Sequence, residues 1–472
     1  MTISHPSPSL AGTLTFLGAL VFAYTTIPDA SPAEMARHVA IFGGFGLAVS
    51  FLIDLYQGGI RNVIRGDTVC LLALYFLTLV EFLFPQPDFD ETVTRELTGK
   101  GLELVLLGFA GIATGRHFFP PKQLTAAMDP MPPAPATWYF NLLILAAVLG
   151  FMHRFVAVDF NPVQWWEATT GPRFSVPWAR GRLGNWKALF NELALLLYLV
   201  PPLFAVIWNR RNELNRPSVY VAVFVFAFTL FSAFCDGTRN VFATYLATFP
   251  VAYILTSPHP TMKRVAILSG VIAGLLMFST HHMLKFRNMG LKTYLEGDST
   301  MMPVSEETLF VDYNLLAISQ LTAQFPERFD YLGMEVPIWA LARPIPRALW
   351  PGKPEGLSTG IEEALDAEGF TIATTYIGEA YMAFGILGVI AASLGFGALA
   401  GWWNRLGGYS SAAALTSVLY ASGFFALAIS MRSLLTFTTA ALPTLALFVI
   451  VRLFPPAVKR AHLPQSAENH HA

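Results

Sequence analysis

PSVYVAVFVFAFTLFSAFC, residues 217–235, holds no charged side chain and is long enough to cross a hydrocarbon core of about 30 Å as a helix. A short polar turn, DGTRN (236–240), follows at once, and then a second apolar run, VFATYLATFPVAYILT (241–256). Two such runs around a tight turn read as a helical hairpin in lipid. Inside a bilayer the backbone must satisfy its own hydrogen bonds, and a helix does so within one segment.

Comparable runs lie outward in both directions, at 10–27, 38–56, 68–84, 101–119, 138–156, 187–208, 265–282, 373–400, 410–430 and 433–453. With the spans at 217–235 and 240–256 they predict twelve. Composition agrees: 54% of residues are hydrophobic, 14% aromatic and 13% charged, against about 25% charged in soluble domains. The expected fold class is therefore all-α, a polytopic membrane bundle. It reads as one domain over 1–472, with a large loop at 283–372 and a tail at 454–472. A net charge of −1 provides no field for nucleic acid. Cys70 and Cys235 both fall in apolar runs, so no disulfide framework or cysteine metal site is expected. MTISHPSPSL lacks a positive leader, and the run after it reads as a first span rather than a cleaved signal.

Basic residues of short loops set the orientation. Arg61 and Arg65, Arg116 and Lys122, Arg210, Arg211 and Arg216, Lys263 and Arg264, and Arg405 alternate with poorly basic loops. Arg452, Lys459 and Arg460 follow at the C-terminal end. Both termini are therefore expected inside the cell. On the outside, residues 157–186 mix Arg173, Arg180 and Arg182 with four tryptophans, as an interfacial segment would. The 283–372 loop is also outside, with a helix expected near 305–325 from Phe310, Tyr313, Ala317 and Leu321 behind a SEET start.

Charged residues near the outer edge are the candidates for chemistry, because ionisable groups at such depth are expensive. Asp236 and Arg239 flank Gly237, and either serve a site or neutralise each other across the hairpin. His281 and His282, with Lys285 and Arg287 a turn later, suit a general base or an interfacial anchor. Asp88 and Asp90 are spaced to hold a divalent cation through hard oxygen ligands, or form an ordinary acidic loop. The densest group is ALARPIPRALWPGKP (340–354), followed by TTYIGEAYMAFGILG (374–388). Arg343 and Arg347 would share one side if Pro344 and Pro346 opened a helix, and paired guanidiniums suit phosphate oxygens. Lys353 and Trp350 lie in the same block, and Glu379 and Tyr376 would share a helix face at the entry of the tenth span.

RPIPRALWPGKP with GEAYMAFGILG resembles the core of the bacterial O-antigen polymerase (Wzy-type) family, the oligosaccharide repeat-unit polymerases. GTRN, the late outer loop and DYNLLAISQLTAQFPERFDYLG are similar to that family as well, so the resemblance covers about Phe231 to Gly401. The acidic run Glu362, Glu363, Asp366 and Glu368 departs from the pattern. The resemblance implies a glycosyltransferase that needs no metal or cofactor. It would move a glycan from an undecaprenyl-diphosphate carrier to another lipid-linked repeat unit, at the outer face of the bacterial cytoplasmic membrane. It implies diphosphate binding by Arg239, Arg343, Arg347, Lys353 and Arg432, and a base in Glu379 or in the histidines His281 and His282. Asp236, Arg287, Trp350, Tyr376 and Tyr381 would contact substrate. Implied partners are the lipid-linked oligosaccharide, membrane lipids, a chain-length regulator and a flippase. A related O-antigen ligase is the near alternative. A polytopic transporter or flippase is the distant one, disfavoured because the two halves do not match.

Overall fold

The computed structural model describes residues 6–119, 134–178, 189–257, 261–287, 289–297, 313–345, 349–350, 352–354, 356–367, 372–407 and 415–456. Among them every regular element is a helix. Arg180, Arg182, Arg347 and the SEET segment lie outside the described residues, as does the side chain of His281.

In chain order the principal helices are α1 Leu10–Thr25, α2 Pro32–Gly58, α3 Gly66–Thr78, α4 Arg95–Gly115, α5 Ala136–Ala157, α6 Phe190–Asn209, α7 Arg216–Cys235, α8 Arg239–Thr256, α9 Met262–Phe286, α10 Asn314–Gln324, α11 Glu335–Ala342, α12 Thr375–Gly407, α13 Leu415–Arg432 and α14 Leu434–Leu453. Among the described residues eight are long and apolar enough to cross a membrane: α2, α4, α5, α6, α7, α12, α13 and α14. The shorter α1 and α3 are also apolar. The chain is thus an all-α, multi-pass membrane bundle. The count of twelve spans remains an expectation from hydropathy.

Helix starts follow local chemistry. Ser9 Oγ accepts the Gly12 N–H (2.9 Å), and Asn215 Oδ1 accepts the Ser218 N–H (2.9 Å) with Pro217 just inside α7. Each side chain satisfies one of the amides that a helix start leaves unpaired. Asp90 Oδ1 accepts from Ala33 N (2.7 Å) in the first turn of α2, so one carboxylate of the acidic loop serves as a helix cap. No group of three or more histidine, cysteine or acidic residues is placed to hold a metal among the described residues.

Two large apolar cores form among the described residues. One gathers α1 to α4 with α10 and α12, the other gathers α5 to α8 with α14, and α13 contributes to both. Helix α4 packs closely on α12. Gly111 and Gly115 of α4 face Ser393, Gly397 and Gly401 of α12, small residues four apart on both sides. Without a hydrophobic drive in lipid, such notches let two backbones make van der Waals contact. A Cβ on Gly115 would stand 2.3 Å from the Leu394 carbonyl oxygen. We expect Gly115→Val to cost at least the ~1–3 kcal/mol of an overpacked core, read as a lower thermal unfolding midpoint in detergent. Gly395→Ala, which meets nothing within 4 Å on the same helix, should not lower it.

The tenth expected span is not one helix. Gly385 has φ +61° and Phe384 leaves helical geometry, so Thr375–Gly407 is two helices that fold back on each other. The Tyr376 hydroxyl bonds Ser393 Oγ at 2.9 Å, which a straight helix would hold about 25 Å away at 1.5 Å per residue. The short arm, 375–383, is thus re-entrant, and its last carbonyls, Met382 and Ala383, accept the N–H groups of Leu332 and Gly333. The positive φ explains the break, since an L side chain resists that conformation. The 386–407 arm keeps enough length, about 33 Å, to span alone.

The large loop also folds inward. Of the helix expected near 305–325 the described part is α10, in which Asn314, Leu315, Ile318 and Leu321 are fully buried and Ser319 packs on Gly101 of α4. Asn314 Nδ2 donates to the Leu77 carbonyl (2.8 Å), holding the helix start against α3.

The bundle end formed by Arg65, Arg116 and Asn404 is fastened by buried ions. Arg65 donates to Asp54 (2.6 Å) and Asp67 (2.9 Å), and Arg116 donates to Asp67 (3.2 Å). All four side chains are shut off from solvent. Asn404 Nδ2 donates to Asp67 (2.6 Å), and its Oδ1 accepts from Gly66 N and the Tyr420 hydroxyl. Two arginines and two aspartates leave no net charge. Sequence patterning assigns Arg65 and Arg116 to loops, whereas both belong to the packed interior.

Candidate functional site

At the other end of α12, the re-entrant arm carries Glu379 into a packed corner. Glu379 is 4% exposed. Its Oε1 accepts from Ser433 Oγ (2.6 Å) and its Oε2 from Leu435 N (3.2 Å). Both donors belong to the turn where α13 ends and α14 starts, so the carboxylate sits at a helix N-terminus, where amides and dipole favour a negative charge. The sequence reading placed Glu379 at the start of its own helix; it caps another one.

Cations surround this corner. Arg343 lies within electrostatic range of Glu379, and Arg432 immediately precedes Ser433. Arg343 is the C-cap of α11, with Pro344 next. The prolines were expected to open a helix, but here Pro344 follows the end of one. Arg343 itself keeps helical angles (φ −51°, ψ −43°), and the helix stops because Pro344 has no N–H to donate and its ring would clash one turn back. Helix α11 itself packs through Val336 and Ala340 on Ala383 and Leu435. Lys353 Nζ donates to the carbonyls of Arg343 (2.7 Å) and Ile345 (3.0 Å) and stands 5.1 Å over Trp339. It therefore ties the turn behind Arg343. Trp350 is 39% exposed beside it.

A second group adjoins the first. Asp236 pairs through both oxygens with Arg154 of α5 (2.6 and 3.2 Å), whose guanidinium lies 5.1 Å over Trp178. Asp236 is thus partnered by Arg154, from a different helix. Arg239 opens α8. Arg154 was missed because it is embedded in an apolar run, although an arginine in a span is itself a signal that an acid must be near. Arg173 and Arg287 meet beside this pair, and Arg432 is within electrostatic range of Arg173. Burial pulls the Arg173 guanidinium below its usual range first, and the Arg287 charge adds to that.

The remaining candidates divide plainly. His282 Nδ1 is 2.8 Å from the Tyr294 hydroxyl, on the element that ends at Arg287. Tyr376 and Tyr381 are inside the bundle: one bonds Ser393, the other donates to the Phe325 carbonyl (3.2 Å). Those contacts fasten the re-entrant arm. Asp366 of the acidic run pairs with Arg328 on the surface (2.6 Å), and each stabilises the other's charge.

The fold defines a multi-pass helical membrane protein with a cation-rich corner built on a re-entrant arm. Comparison with family models, curated proteins and solved structures found no match for the chain.

Proposed function

We propose that this chain is a glycosyltransferase that extends a polysaccharide from an undecaprenyl-diphosphate-linked donor at the outer face of the bacterial cytoplasmic membrane. The observation that supports the reading best is the corner itself: a buried carboxylate, Glu379, positioned by Ser433 and Leu435, with Arg343 in range and Arg432 adjacent. A carboxylate has about four lone-pair sites, and the donors from Ser433, Leu435 and Leu434 leave one for an acceptor hydroxyl. In the proposed step that hydroxyl attacks the anomeric carbon of the donor sugar. The bond from that carbon to the diphosphate oxygen breaks with its electron pair, and Glu379 takes the hydroxyl proton. The leaving diphosphate needs charge stabilisation more than a proton, and preorganised guanidiniums provide it without a metal. Arg343 and Arg432, with Arg239 and Arg347, are assigned that role. Lys353 supports it by holding the Arg343 turn.

The test replaces Arg343 with Ala in the native host and resolves surface glycan by length. Single-repeat products with normal export are expected. Free long chains that never reach a final acceptor would instead mark a ligase, and lipid-linked repeats trapped inside would overturn both in favour of a flippase.

A further inference from the structure

We propose that Arg173 and Arg287 form a binding site for a phosphate-class anion, separate from the Glu379 corner. Three segments build it. Gly290, at φ +89°, packs directly on Gly171 and Thr170, where a Cβ would stand 2.7 Å from the Gly171 carbonyl carbon. Gly237, at φ +61°, leaves its open side to Arg287. Arg173 N donates to the Arg287 carbonyl oxygen (3.2 Å), which sets the two residues side by side.

Both guanidiniums then flank one ring: Arg173 lies 5.5 Å and Arg287 5.4 Å from the centroid of Phe174. Neither has a carboxylate partner among the described residues. The nearest acid in electrostatic terms, Asp236, is held through both oxygens by Arg154. Arg287 Nε is buried and has no hydrogen-bond acceptor among the described residues. A buried donor left unmade is costly, and two half-buried like charges without a counter-ion add to the cost. A bound anion would offset both costs. Planar guanidiniums set around a shared ring suit tetrahedral phosphate oxygens, which accept several N–H bonds at once. The ligand is either a soluble phosphate or the headgroup of a lipid. The site stands on this geometry and does not depend on the polymerase reading.

The test uses the full chain in phosphatidylcholine nanodiscs, titrated calorimetrically with inorganic pyrophosphate. A parallel arm measures retention of phosphatidylglycerol by native mass spectrometry. We expect Arg173→Gln with Arg287→Gln to weaken one probe about tenfold, as loss of charge-assisted bonds does. Arg452→Gln, at an exposed arginine elsewhere, should leave both unchanged. Loss confined to pyrophosphate identifies a soluble phosphate, and loss confined to phosphatidylglycerol a lipid headgroup. If the double variant does not fold, Arg287→Lys replaces it, since Lys keeps the charge but removes the Nε–H. A weakened probe again supports the site. Equal binding of both probes by wild type and variants, or no binding at all, overturns the proposal. Unchanged pyrophosphate binding in Arg343→Ala alongside a lost glycan ladder would show that the two sites are independent.

Discussion

Asp67→Asn is expected to remove about 3–5 kcal/mol of stability, the usual result of deleting one partner of a buried ion pair. The size follows from what remains. Among the described residues Arg116 loses the one carboxylate it bonds, and Arg65 keeps the bond to Asp54. An amide at 67 can still accept a bond, but it cannot balance a guanidinium shut off from water. The measurement is the unfolding midpoint of detergent-purified protein, together with the folded yield from membranes. Asp67→Asn combined with Arg116→Gln should be milder than Asp67→Asn alone, because the Arg65–Asp54 pair is then left neutral. A double variant as unstable as the sum of both singles would show that packing, and not charge balance, governs this end.

Glu379→Gln should separate chemistry from architecture. A glutamine side chain retains one oxygen, so either the Ser433 or the Leu435 contact survives and the corner stays closed. Its amide cannot take a proton. If Glu379 acts as the base, transfer should fall about 10²–10⁴-fold, the ordinary contribution of general-base catalysis. The unfolding midpoint should move little. Glu379→Ala should lose both properties, because Leu435 N–H is then left buried without an acceptor. Glycan transfer by Glu379→Gln at the wild-type rate would reduce the carboxylate to a cap for α14.

Positions of helices were legible because uninterrupted apolar runs such as 217–235 leave few alternatives in a chain this hydrophobic. The break at Phe384–Gly385 was not. AYMAFGILGV (380–389) is continuously apolar, and hydropathy is blind to a backbone angle. The dense glycines of GEAYMAFGILG were the available hint. The buried ions hid differently. Arg65 and Arg116 lie at the ends of runs and read as loop charges, while their partners Asp54 and Asp67 sit in or beside apolar stretches. Asp54, inside the run 38–56, was the clue, since an acid at that depth needs a cation. At the candidate site, Glu379 and Arg343 could be named from composition. Ser433, Leu435 and Arg154 could not, because their relevance comes only from contacts between distant parts of the chain.

The glycine-notched face of α4 also dictates an order of assembly. Residues 95–115 are synthesised early, but what fills Gly101, Gly111 and Gly115 is Ser319, Ser393 and Leu394. None of these exists until most of the chain has been made. Helix α10, about 16 Å long, is too short to cross a ~30 Å core by itself. It packs against α3 and α4, made before it, and against α12, made after it. Contacts so distant in sequence are slow to form, so the nascent protein carries an unfilled seam from its first third almost to its last.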